Sequence, residues 1–206
     1  MRIAIVAVVA VVMAAAAGAE ELAQPGGKSA LSATQLQAIM PKLDAGRADM
    51  FQKPLNEAMT EFGINTPKRR AAFLAQVAFE CQELRHLEEM FANLDAYENR
   101  ADLGNTKAGD GKTYKGRGPL MLTGKVNYKA AGKALKLDLE AKPDQVAQPE
   151  IGCRVAAWYW KAQGLNELAD KGDFRGITQH IHGNYIGLDG RQKYYRQAKQ
   201  VLGVRD

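Results

Sequence analysis

Two glutamates, Glu80 and Glu98, carry the chemistry this sequence offers. Glu80 closes the run Phe73-Leu-Ala-Gln-Val-Ala-Phe-Glu80, and Phe73, Val77, Glu80, Leu84 and Leu87 recur at helical spacing on one stripe. A carboxylate on an apolar stripe is costly unless it is paired, hydrogen-bonded or protonated. Glu80 is therefore either half of a structural ion pair, with an arginine for example, or a general acid kept protonated by its surroundings. Glu98 opens a polar, glycine-rich stretch in which solvent keeps a carboxylate ionised. Cleavage of a glycosidic bond needs such a contrast: one carboxyl protonates the leaving oxygen and the other activates water.

Rival chemistries lack their signatures. There is no G-x-S-x-G, no Cys-His signature and no H-E-x-x-H. His86, His180 and His182 have no third partner at metal-ligand spacing, so neither a metal nor another cofactor is expected. The glycines of Gly116-Arg117-Gly118 do not extend into a dinucleotide fingerprint.

The elements that must position the two carboxyls follow from periodicity and punctuation. Tyr97 to Tyr128 has glycines at 104, 109, 111, 116 and 118 and reads as a long loop, landing on the apolar run from Pro119 to Thr123. Arg100, Asp102, Asn105, Asp110, Lys112, Tyr114 and Arg117 make it either a solvated loop or a surface for a polar ligand. Ser32 or Thr34 caps a first helix bearing Leu36, Ile39, Met40 and Leu43, bent or ended by Pro41. A second carries Phe51, Leu55, Met59 and Phe62 and stops at Gly63. Thr66-Pro67 starts a third, predicted to run to about Ala92 and to carry Glu80 mid-stripe. Further helices are predicted from about Val126 to Leu135, from Ile151 to Lys161, after Asp173 as far as Gly183, and around Tyr194, Tyr195 and Val201. Pro143 and Pro149 bracket a linker-like turn, and no alternating strand pattern of useful length occurs.

At 206 residues the chain suits one domain with a real core. Met1-Arg2, the apolar run Ile3 to Ala17 and Ala17-Gly18-Ala19 read as a signal peptide over residues 1–19, cut after Ala19. The rival reading is an Ala-rich membrane anchor. Residues 20–30 are expected to be a flexible leader and 31–206 the catalytic domain, and the signal implies a protein in the periplasm or secreted. It would meet the membrane only transiently, through the signal. The net charge of +5 is dispersed and suits an anionic polymer; no basic run with interleaved aromatics points to nucleic acid. Cys81 and Cys153 would meet an oxidising compartment, either as one disulfide or as buried free thiols.

FLAQVAFE (Phe73 to Glu80), YENRADLGN (Tyr97 to Asn105), GDGKTYKGRGPLMLTGKVNY (Gly109 to Tyr128) and GLDGR (Gly187 to Arg191) together resemble the family 19 glycoside hydrolases, the chitinases and related phage endolysins and bacterial muramidases. The resemblance implies a mainly α, lysozyme-like fold with two lobes and a substrate cleft. It implies an inverting mechanism with Glu80 as acid, Glu98 as base, Thr123 helping to hold the water and Asn127 binding sugar. Arg117 would be a buried cation steadying the loop and the carboxylates, and it is counted with Tyr114, His182 and Asn184 at the substrate site. Within the endolysin branch, Glu89 is the alternative base. Three positions depart from the family pattern: Phe79 replaces a histidine, Met121 a glutamine, and His182 an amide that Asn184 could supply. The implied substrate is the glycan of peptidoglycan, cleaved by a monomer. A chitinase and a non-catalytic glycan-binding relative are the alternatives.

Overall fold

Residues 71–78 are buried without a break, so the helix that contains them is wrapped by protein on every side. That helix, Pro67–Glu80, is the third of the fold and is capped by Thr66, whose hydroxyl accepts from Arg69 N. The structure is a computed structural model and describes residues 30–90 and 94–205. The expected signal peptide, and the leader up to residue 29, lie outside the described residues.

In chain order the described helices are α1 (Ala33–Ile39), α2 (Ala45–Glu61), α3 (Pro67–Glu80), α4 (Asp110–Thr113), α5 (Lys125–Leu135), α6 (Pro149–Ala162), α7 (Leu165–Asp170), α8 (Phe174–His182) and α9 (Leu188–Leu202). Three short 3-10 turns, Leu94–Tyr97, Ala101–Leu103 and Pro143–Ala147, complete the regular structure. Pro149 opens α6 rather than closing a linker, since its missing N–H costs nothing at a helix start. Helix α7 has six residues, too few for periodicity to reveal it. The fold is mainly α, and among the described residues the only ladder pairing is the pair of isolated bridges Glu88–Arg117 and Arg117–Leu122.

Two cores form. The larger surrounds α3, which packs most extensively on α9, and includes Phe73 edge-on to Trp160 at 5.4 Å. The smaller gathers Tyr114, Leu122, Tyr128, Leu135, Leu139, Val146 and Val155 around α5 and the glycine-rich segment. These are the two lobes that the mainly helical, lysozyme-like expectation requires.

The third helix does not reach Ala92. It stops at Glu80 because residues 82–84 turn left-handed: Gln82, Glu83 and Leu84 have φ of 52°, 64° and 60°. Each non-glycine residue there costs about 1–2 kcal/mol, so surrounding contacts must impose the turn. Arg47 supplies one, donating from Nε to Leu84 O at 3.0 Å with Nη2 on the same oxygen. Leu84 is buried and Leu87 partly buried against the larger core from this turn, not from a continued helical stripe.

The cysteines do not pair. Cys81 and Cys153 are buried free thiols in the same core. Cys81 Sγ is occupied at the helix end, donating to Val77 O at 3.0 Å and accepting from Leu84 N at 3.3 Å. Burial pushes the Cys81 thiol up to about 12, which keeps it protonated and inert.

Candidate active site

Ending α3 at Glu80 places that carboxyl at a helix terminus with its side chain 17 % exposed, enough for a ligand to reach. The group it meets is Arg191, fully buried on α9, whose Nη2 lies 2.5 Å from Glu80 Oε1. The contact is an ion pair rather than a well-aligned hydrogen bond, and Arg191 Nε has no partner. Arg191 is held from behind. Its Nη1 donates to Gln76 Oε1, Gln76 Nε2 donates to Thr178 Oγ1 at 3.0 Å, and Thr178 donates to Phe174 O at 3.1 Å. The apolar surroundings expected for Glu80 are thus corrected to a polar relay through three helices.

Phe79, standing where the family resemblance implies a histidine, completes this arrangement. Its ring lies against Gly187 and Gly190, and the Arg191 guanidinium sits 4.3 Å from its centroid. A Cβ on Gly190 would come within 2.6 Å of Phe79 Cε2, so the glycines of Gly187-Leu-Asp-Gly-Arg191 are there to admit a ring. Tyr159 neighbours Glu80 as well: burial first, then the Glu80 charge, pushes its phenol up to about 12.

A second carboxylate site forms nine residues further on. Glu89 Oε1 accepts from the Tyr97 hydroxyl at 3.0 Å, and Oε2 accepts from Gly116 N at 3.3 Å. A Cβ on Gly116 would lie 3.2 Å from Glu89 Oε2 and 3.2 Å from Thr123 Oγ1, so carboxylate and hydroxyl face each other across a glycine. Burial, with the Glu89 charge, raises the Tyr97 phenol and keeps it a proton donor. Thr123 donates to Met121 O at 2.9 Å, which leaves its lone pairs free to accept. Met121, where the family resemblance implies a glutamine, is partly buried against the larger core with φ of 51°. Asn127 Nδ2 donates to Thr123 O at 2.8 Å and fixes that strand of backbone.

The carboxylate that the fold brings to Thr123 is Glu89. Glu98 is taken up by its own loop, with Oε2 accepting from Gly109 N at 3.1 Å. The loop is not loosely solvated. Fully buried Asn105 donates to Tyr97 O at 2.9 Å and accepts from Lys125 N at 3.0 Å, which ties the Glu89 partner to the start of α5. Asp110 accepts from Thr106 N and Lys107 N. Burial opposes its ionisation, but these bonds and Lys125 hold its carboxyl below the usual range.

Two residues expected at the substrate turn inward instead. Tyr114 is buried in the smaller core, tilted against Tyr128 at 5.5 Å, and its hydroxyl donates to Glu140 O. Arg117, 5 % exposed, donates to Glu88 Oε1 at 3.1 Å, Thr113 O at 2.8 Å and Tyr128 Oη at 3.2 Å, and pairs with Asp144 at 2.6 Å. It is the buried cation expected, but its guanidinium is committed within the fold. His182 ends α8 with a buried Nδ1 that lacks a partner, and Asn184 Oδ1 accepts from Ile186 N at 2.8 Å. Arg191, Gln76 and Tyr97 were not anticipated as site residues. Their signals were an arginine closing a glycine motif, an amide inside an alanine-rich run, and a tyrosine opening the loop.

Among the described residues there is no group of three or more His, Cys, Asp or Glu able to hold a metal. No helix among them is long and apolar enough to cross a membrane.

Known proteins share this frame. Residues 60–170 match the family 19 glycoside hydrolase profile described as chitinase class I. A family 19 domain-containing protein of Haemophilus influenzae is 41 % identical over 109 residues, 52 % of each chain. An endochitinase of Arabidopsis thaliana is 32 % identical over 149 residues, 69 % of this chain and 50 % of its own. The chain spans about half the length of these curated relatives. Chitinase C of Streptomyces griseus superposes with a TM-score of 0.69 at 27 % identity, covering 86 % of this chain and 78 % of its own. The profile takes in both carboxylates, the arm between them and the glycine-rich segment that carries Thr123, and on that match this chain belongs to glycoside hydrolase family 19.

Proposed function

We propose that the chain hydrolyses an N-acetylhexosamine polysaccharide by an inverting two-carboxylate mechanism, with Glu80 as acid and Glu89, rather than Glu98, as base. The observation that carries this reading is the meeting of Glu89 and Thr123 across Gly116, with Glu80 held separately by Arg191 at the end of α3. Because Thr123 spends its proton on Met121 O, it accepts one hydrogen of a water while Glu89 accepts the other. That leaves the water's lone pair directed at the anomeric carbon. Glu80, loaded with a proton, gives it to the leaving oxygen. No covalent sugar intermediate forms, and no cofactor takes part.

For the substrate we favour the glycan of peptidoglycan. Support comes from the YENRADLGN and GDG segments, which resemble the endolysin branch, and from a chain with only two cysteines. Export through the N-terminal leader and action as a monomer belong to the same proposal. Chitin is the second reading, favoured by the relatives named as endochitinases. Release of reducing ends from purified peptidoglycan and from chitin oligomers, measured side by side, decides between them. Faster release from chitin overturns the peptidoglycan reading, and inactivity on both overturns the hydrolase.

A further inference from the structure

Glu83 is the most buried carboxylate among the described residues, 2 % exposed. It lies in the middle of the left-handed turn that separates Glu80 from Glu89. Its Oε1 accepts from the Tyr194 hydroxyl on α9 at 2.6 Å, and its Oε2 accepts from Lys42 N, between α1 and α2, at 2.5 Å. Glu83 N donates to Ala78 O at 2.7 Å, which ties the turn back onto α3. From there the arm runs to Leu87 O, which accepts from Gly118 N at 2.9 Å, and to Glu89 N, which donates to Gly116 O at 2.9 Å. One end of the arm is thus fastened to the larger core and the other to the glycine-rich segment.

We propose that Glu83 is a positioning residue for the reaction. By pinning residues 82–84 to α9 and to the α1–α2 turn, it ends α3 at Glu80 and fixes where the arm to Glu89 departs. The separation of the two carboxyls then depends on a buried side chain that touches neither of them. An inverting pair must stay far enough apart to admit a water, so a turn that relaxed would misplace acid or base. The inference rests on the assignment of Glu80 and Glu89 given above.

The test compares Glu83→Ala, Glu83→Gln and Tyr194→Phe with the wild type, each assayed below its own melting temperature on whichever of peptidoglycan or chitin oligomers the wild type cleaves. Glu83→Ala should lower kcat roughly 10- to 100-fold with KM within about twofold, the cost of a small misplacement at the reacting groups. Glu83→Gln should retain most of the activity, because its carbonyl can accept from Lys42 N and its amide can donate to the Tyr194 oxygen. Tyr194→Phe removes one bond, keeps the fold and should fall between them. A kcat within twofold of wild type for folded Glu83→Ala and Tyr194→Phe overturns the proposal, and so does an equal loss in Glu83→Gln. Amide hydrogen exchange reads the turn without turnover. Exchange over residues 81–89 should rise in Glu83→Ala and Tyr194→Phe while α5 and α6 stay unchanged, and unchanged exchange over 81–89 sinks the idea. Full activity of Glu80→Gln or Glu89→Gln would instead remove the assignment on which it rests.

Discussion

Arg191 Nη2 lies 2.5 Å from Glu80 Oε1, a buried cation against the one carboxyl at the end of the central helix. The pair explains why Glu80 can close an apolar run without a desolvation penalty that unfolds the helix. Glu80→Gln keeps the shape and an oxygen for Arg191 while removing the proton donor. Turnover should fall at least about 100-fold with the fold retained. The melting temperature should drop moderately, because buried Arg191 keeps a hydrogen-bond acceptor but loses its counter-charge. Arg191→Ala should behave differently, losing about 3–5 kcal/mol of stability, because Glu80 and Gln76 both lose their buried partner. Thermal unfolding beside a single-turnover assay separates the two outcomes.

The choice of base is settled by a pair of isosteric changes. Glu89→Gln should cut the rate about 100-fold or more, and Glu98→Gln should leave most of it, since Glu98 serves the Gly109 turn. The reverse ranking would return the role to Glu98. Proton NMR of the first product should show the anomer opposite to that of the cleaved bond, the outcome of a single displacement by water.

Phe79 and Gly190 form a lock whose fit can be measured. Gly190→Ala clashes with the Phe79 ring edge, which must shift, and should cost about 1–3 kcal/mol, the usual penalty of overpacking. Phe79→Leu should recover part of that loss, so the double mutant should be more stable than the sum of the single changes predicts. Strict additivity in urea unfolding would show that the two residues do not meet.

Glu88 gives the fold a pH dependence of known sign. Burial opposes its ionisation, but hydrogen bonds from Lys115 and Arg117 hold its carboxyl below the usual range. The stability it contributes is therefore present above its unfolded pKa of about 4.3 and is lost as pH falls through the lower folded value. Because the side chain is 37 % exposed, solvent screening limits the effect to about 1 kcal/mol. Melting temperatures of wild type and Glu88→Gln should differ at pH 7 and converge as the pH drops below 4.

The sequence by itself determined the helical class, most helix starts and the importance of the glycine-rich segment. Those features are local: caps at Ser32, Thr66 and Asp173, the proline that starts α3, and apolar residues at helical spacing. It also marked Glu80 and Thr123 through contiguous motifs. What the tertiary structure decided lies between elements distant in the chain. Helical spacing carried α3 past Glu80 on paper, because Leu84 and Leu87 keep the period; Arg47, Lys42 and Tyr194, up to 111 residues away, impose the left-handed turn that stops it. Polarity suggested Tyr114 and Arg117 as ligand-facing, yet both are buried, since a polar group satisfied by Glu140 O or Glu88 is no longer driven to solvent. In one dimension the resemblance points to Glu98 first, with Glu89 as the alternative. Only folding sets Glu89 beside Gly116 and Thr123, because that approach depends on a missing Cβ at Gly116 and on a bridge between Glu88 and Arg117, neither of which spacing along the chain encodes.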